Sequence, residues 1–324
     1  MANIKLGITL FCFGTEYARG EYSFEDCVRE ASEMGCEGYE IVATQMIPSY
    51  PNVNDEFLDL VNKCREKYGI GPVTYAANQD RGMRVDRDIN NDEMLALAIK
   101  DLKSAHKLGC KYMRVQYMMN PETFERLAPY AELFDIKCGI EIHNPETPTS
   151  PKMLEYLEVI KKTGSKHIGF IPDFGCFATA PNYPKWKKAL EDGIDEKYLI
   201  MARDMKYDDV PMEESLKRLT EAGAPMSIMG MLQGMYGFVQ FRKEADLEGL
   251  KNIIPYSFEF HGKFHYLDEN NHEPAIPYEE ILPVIAASDF DGYIMAEYED
   301  ELNVGGKAFT YRLIELEKKV LGNT

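Results

Sequence analysis

Eight short runs rich in β-branched and aromatic residues recur along the chain, most followed by an amphipathic helical pattern, and this rhythm constrains the fold more than any other feature. The runs are Ile4–Leu10, Gly38–Ala43, Pro72–Ala77, Tyr112–Tyr117, Cys138–His143, Ile168–Asp173, Tyr256–His261 and Gly292–Glu297. Ser23 is placed to cap a helix over Phe24–Met34 that Gly35 stops, and Gly69 ends a helix over Asp55–Tyr68. Over Asp92–Leu108, the residues Leu95, Ala98, Ile99, Leu102 and Ala105 fall on one helical face. A closing helix is expected over Lys307–Val320. Strands alternating with helices, without a Pro/Ser linker or a composition break, predict a parallel α/β sheet closed on itself: a single (β/α)8 barrel over residues 1–324. A doubly wound open sheet is the alternative, disfavoured because no Gly-rich phosphate loop follows the first run.

One unit is oversized. Residues 174–255 separate the sixth and seventh runs by roughly eighty positions, about twice what a barrel unit needs. Extra chain at such a junction lies beside the active face, as a lid or an interface. The net charge of −18 repels phosphate backbones and anionic lipid, so neither nucleic acid nor a membrane is expected as a partner. The seven cysteines are odd in number and form no C-x-x-C, which predicts reduced thiols and a cytoplasmic setting. The apolar run at the N-terminus is too short for a signal peptide, and no stretch nears the ~18 apolar residues of a membrane span.

Catalytic groups of such barrels project from the C-terminal ends of the strands. The fifth run ends I-E-I-H, so Glu141 and His143 share one strand face. The sixth ends at Asp173, the seventh at His261 and the eighth at Glu297. Three carboxylates and an imidazole at four successive strand ends repel one another unless a cation joins them, which predicts one divalent metal held by Glu141, Asp173, His261 and Glu297. An oxygen-rich set with one imidazole suits Mn²⁺ best, with Mg²⁺, Co²⁺ and Fe²⁺ also compatible. Taken singly, each residue has a plainer explanation: Glu141 in an ion network, Asp173 as a helix cap, His261 as a core histidine. The coincidence of all four argues for the metal.

With this ordered Glu, Asp, His, Glu set, the chain resembles the xylose-isomerase-like TIM-barrel superfamily of sugar isomerases, epimerases and type IV apurinic endonucleases. The gap from Asp173 to His261 is widened by an insertion between strands 6 and 7, about residues 174–255. Many of the epimerases carry a substrate-contacting His three residues after the metal Asp, where this chain has Cys176. The endonucleases use three metals and many histidines, and only six histidines occur here. A closer resemblance, carried by Gly38–Pro51 (GYEIVATQMIPSYP), Ala77–Arg84 (ANQDRGMR) and the segment EIHNPE, is to the α subunit of bacterial C-glycoside deglycosidases. That resemblance implies a lyase that splits the carbon–carbon bond between a 3-oxo-glucosyl group and an aromatic, flavonoid-type aglycone. It also implies a divalent metal and a hetero-oligomer with a small β-rich partner subunit.

On that reading the metal would stabilise an enolate as the C2 proton leaves, and His143, beside Glu141, is the expected general base. His265 or Glu299 is the expected donor of the second proton, and Lys263, Gln116 and Asn78 are expected to hydrogen-bond the sugar. Within the insertion, Met226, Met229, Met231, Met235, Tyr236, Phe238 and Phe241 suit either a flat polyphenol or an ordinary core or subunit interface, the latter being favoured. Arg81, Arg84 and Arg87 read as a solvated charge run mixed with Asp80, Asp86 and Asp88. Two other functions fit the sequence: a metal-dependent sugar isomerase or epimerase, and a non-catalytic barrel subunit.

Overall fold

The structure, a computed structural model, describes residues 2–299 and 304–322. Its eight strands are β1 (Asn3–Thr9), β2 (Tyr39–Val42), β3 (Pro72–Ala76), β4 (Tyr112–Val115), β5 (Lys137–Ile142), β6 (Ile168–Pro172), β7 (Glu259–Phe264) and β8 (Asp291–Tyr298). All neighbouring strands pair in parallel, in the order β6-β5-β4-β3-β2-β1-β8-β7. The two ends of that order meet through parallel bridges at Phe170–Ser257 and Asp173–His261, which closes the sheet into the expected barrel.

The helical punctuation follows local chemistry. Ser23 caps the helix Phe24–Glu33 in a reciprocal box with Asp26, and the helix Asp55–Tyr68 stops at Gly69, whose φ of 74° suits glycine. Asn90, not Asp92, marks the next start: its side chain caps Asn91–Leu108 together with Glu93. The closing helix covers Lys307–Leu321.

The seventh strand differs most from expectation. Tyr256–His261 was the predicted run, but Ile254–Tyr256 forms a 3-10 turn and the strand begins at Glu259. Ser257 ties that turn down, its hydroxyl donating to the Ile253 carbonyl at 2.9 Å. The shift carries Lys263 into the strand, where its side chain shares one parity with Glu259 and His261.

Between β6 and β7 lie helices Tyr183–Glu191, Glu196–Tyr207, Met212–Glu221, Ile228–Tyr236 and Leu247–Ile253. The last packs into the barrel core through Leu250 and Ile253. The first four enclose a separate apolar cluster that includes Leu199, Ala202, Leu219, Leu232, Met235 and Phe241. This bears out the core reading for Met231, Met235 and Phe241, whereas Met226 and Phe238 are each 69% exposed. All seven cysteines are free and buried.

Barrel closure leaves little room at Gly169. A Cβ there would lie 2.3 Å from the Tyr256 carbonyl oxygen and 2.8 Å from the Phe258 ring. Gly169→Ala is therefore expected to destabilise the fold by about 1–3 kcal/mol, read as a lower urea midpoint at unchanged m-value.

Candidate active site

Polar residues fill the upper interior of the barrel because alternate side chains of each strand point inward. On β7 these are Glu259, His261 and Lys263, with His265 just beyond, while Phe260 and Phe264 face the surrounding helices. The contacts cross the barrel between strands that are not neighbours. Thr74 of β3 donates to Glu259, and His261 meets Glu40 of β2.

His261 joins two layers. Its Nδ1 lies 3.2 Å from Glu141 Oε1 and 3.5 Å from Glu297 Oε2; its Nε2 lies 3.2 Å from Glu40 Oε2 and 3.7 Å from Glu259 Oε1. Two groups therefore have the spacing of a metal site: Glu141, His261 and Glu297 above, and Glu40, Glu259 and His261 below. The lower one is sealed, and burial lifts the Glu259 carboxyl to about 7, so this pair holds a proton more readily than a second charge. The upper group opens toward the strand ends, where Glu297 and His143 keep some exposure.

Asp173 divides its two oxygens. Oδ1 accepts from the Gly175 amide at 2.7 Å and caps the 3-10 turn Phe174–Phe177, so the capping alternative is realised. Oδ2 remains turned to the site, 2.7 Å from Lys263 Nζ and 3.7 Å from His143 Nε2. Lys263 Nζ also lies 3.5 Å from Glu297 Oε2 and 2.8 Å from Glu299 Oε1. Arg114 of β4 reaches Glu141 at 3.3 Å.

This pocket draws positive charge. Burial works against the charged forms of His261 and Lys263, yet the surrounding carboxylates outweigh it and hold both well above their ordinary values. Glu297 is held at about 2: burial opposes its ionisation, but Lys263 and His261 prevail. Four carboxylates (Glu141, Asp173, Glu297 and Glu299) face two permanent cations (Arg114 and Lys263). If His261 gave up its proton to serve as a ligand, these groups would leave two negative charges unbalanced, the charge of one divalent ion. Asp173 Oδ2 and Glu297 Oε2 are buried with no directed hydrogen bond, and Lys263 Nζ lies beside both as the cation that answers them here. The donor set fits such an ion through Glu141, His261 and Glu297, with Asp173 alongside.

His143 has a defined tautomer. Its Nδ1 lies 2.6 Å from the Asn144 carbonyl, which only accepts, so Nδ1 carries the hydrogen; Nε2 then accepts from Lys263 Nζ at 3.0 Å. His143 and Lys263, joined by this contact, line a cavity together with His265 and Glu299. His265 Nδ1 lies 3.5 Å from Glu299 Oε2. Gln116 and Asn78 do not line this cavity: the Gln116 amide donates to Gln79 Oε1, and Asn78 lies in the loop beyond β3. Cys176 is buried, its thiol donating to the Asp173 carbonyl at 2.8 Å, so it does not stand in for the missing histidine. Arg84 and Arg87 pair with Asp86 and Glu93, as a solvated charge run does.

Sequence reasoning missed Arg114, Glu40 and Glu259. Arg114 and Glu40 are charged residues inside otherwise apolar strands (YMRV and YEIV), and Glu259 shares the parity of His261 in EFHGKF; at interior parity such a residue needs a buried partner.

The chain belongs to the xylose isomerase-like TIM barrel family, whose match covers residues 28–311. Within it, the 3'-dehydrocarminate deglycosidase α subunit of a Microbacterium species is 34% identical, over 91% of this chain and 88% of that protein. A C-glycoside deglycosidase α subunit of Arthrobacter globiformis is 30% identical, over 92% and 85%. Among solved structures, the 3-keto-D-glucoside 4-epimerase of E. coli matches with a TM-score of 0.57 at 12% identity, over 97% of this chain and 99% of that one, a likeness of fold. No helix among the described residues is long and apolar enough to cross a membrane.

Glu297→Gln keeps the side-chain shape and removes one charge from the donor set. It is expected to weaken Mn²⁺ binding at least about 100-fold in calorimetric titration, with the circular dichroism spectrum unchanged. Undiminished Mn²⁺ affinity would remove Glu297 from the set.

Proposed function

We propose that this chain is the catalytic α subunit of a C-glycoside deglycosidase, a carbon–carbon lyase acting on 3-oxo-C-glucosides of aromatic aglycones. The observation that carries the reading is the placing of His143 Nε2 at the cavity edge, 3.7 Å from the buried Asp173 carboxylate, in a chain whose relatives are named for C-glycoside cleavage. Glu141, Asp173, His261 and Glu297 are the proposed holders of one divalent ion, Mn²⁺ by donor type. When bound there, the ion supplies Lewis-acid polarisation of the 3-oxo group.

The chain's own residues do the rest. The carbonyl at C3 acidifies the C2 hydrogen, and His143 Nε2 removes it as a proton. The electron pair of the C2–H bond becomes the C1–C2 double bond. The C1–aryl bond breaks, its pair stays on the aryl carbon, and that carbon takes a proton. One proton leaves and one returns, so the reaction is redox-neutral. His265 and Glu299, adjacent across the cavity, are the proposed source of the second proton. The Asn144 carbonyl holds the His143 tautomer, and Lys263 is the proposed contact to a sugar oxygen. The relatives are named α subunits, which supports a small partner subunit for this chain as well.

The test is turnover of a 3-oxo-C-glucosylflavone with Mn²⁺, in the presence and absence of a candidate small partner subunit. Free aglycone and an unsaturated 3-oxo sugar are the expected products. A C2 or C4 epimer of intact substrate would instead make the chain an epimerase, and no turnover together with no metal uptake would make it a non-catalytic subunit.

His143→Gln separates the base from the metal. A loss of about 10²–10⁴ in kcat with Mn²⁺ content retained is expected from single-turnover and elemental measurements. Unchanged kcat would assign the proton to another group.

A further inference from the structure

The wall of the catalytic cavity is not built by the barrel alone. Phe238, Val239 and Gln240, from the four-helix segment between β6 and β7, line one side, facing a cavity that His143, Lys263 and Glu299 also line. This strap is held by one side chain next to the proposed base. Asn144 Oδ1 accepts from the Gln240 amide at 3.1 Å, and Asn144 Nδ2 donates to the Gln240 carbonyl at 2.6 Å and the Gly175 carbonyl at 3.0 Å. The Arg242 amide adds a bond to the Ala178 carbonyl at 3.0 Å. The backbone of the strap is therefore fixed at its C-terminal side.

Phe238 is out of place for a packing residue. Among the described residues it is the one exposed phenylalanine, at 69%, while Phe241 three positions on is 1% exposed in the segment's own core. A chain that buries Phe241 and leaves Phe238 bare beside a polar cavity has an apolar ring available to a ligand. A second pair of aromatic rings follows lining residues in sequence. Tyr183 and Tyr266, which directly follow the lining residues Asn182 and His265, hold their rings 4.7 Å apart, and Tyr183 is 37% exposed. The polar groups of the cavity suit a sugar, and the rings at its border suit a flat apolar surface attached to it. The cavity itself measures only about 30 Å³ here, room for about one or two waters, so the strap must yield when a hexosyl group enters.

We infer that Phe238 is a specificity-determining contact for the aromatic aglycone, carried on a strap that Asn144 latches over the cavity. This deepens the lyase reading and rests on it for the identity of the sugar half, but the aromatic contact is measurable without turnover. A planar polyphenol stacks on the Phe238 ring, while the glucosyl half lies toward Lys263 and Glu299.

The experiment is calorimetric binding to the Mn²⁺-loaded full chain, repeated with its partner subunit, using two probes: a tetrahydroxyflavone and 3-oxo-glucose. Wild type is expected to bind both. Phe238→Ala should bind the flavone roughly three- to tenfold more weakly, with 3-oxo-glucose affinity unchanged, and Phe238→Trp should restore flavone binding. Equal flavone affinity in wild type and Phe238→Ala overturns the inference, as does equal weakening of both probes, which would mean damage to the strap. Loss of partner association in Phe238→Ala with flavone binding intact also overturns it and makes the ring an interface contact. Flavone binding that depends on Phe238 without cleavage of the 3-oxo-C-glucoside would leave this contact standing and remove the lyase reading alone.

Discussion

The site depends on surplus negative charge held out of water. Glu141, Asp173, Glu297 and Glu299 converge where Arg114 and Lys263 supply only part of the balance, and the imidazole of His261 links this layer to Glu40 and Glu259 beneath. An apolar core of that size would be simpler to fold, since buried ion groups seldom add net stability. Their cost is set against the mass of apolar packing outside the strands, where Ile8, Tyr39, Phe170, Phe260 and Ile294 lie between the sheet and its helices. The barrel thus concentrates stability on its outer face and chemistry on its inner one.

Parallel pairing is what brings the groups together. Glu141 and Asp173 sit at the ends of adjacent strands, and the bridge from Asp173 to His261 spans the seam where the first and last strands in the order meet. That seam is held by two isolated bridges, and Gly169 beside it leaves no room for a side chain against the Tyr256 carbonyl.

Much of this was legible in the sequence. The eight runs and the four residues at their ends are strong local patterns, and Ser23 and Gly69 announce their helices by capping chemistry that needs no tertiary context. The start of the seventh strand was not legible, because Tyr256 and Phe258 look like strand residues while Pro255 and Ser257 turn the backbone first. Nor were Arg114, Glu40 and Glu259, whose significance appears only once β2, β4 and β7 face one another across an interior. Gln116 and Asn78 were placed by strand-end position alone; both lie just beyond their strands, and the Gln116 backbone N–H donates to Gln79.

The strap of Phe238 to Gln240 belongs to a segment that folds around its own apolar cluster, apart from the barrel's. Substitutions among Leu199, Leu219, Leu232 and Met235 can therefore drift without disturbing strand register or the buried carboxylates. What such drift alters is the contour of the entrance. A lineage can vary its range of acceptable guests by remodelling a detachable rim, while the chemistry beneath is inherited unchanged.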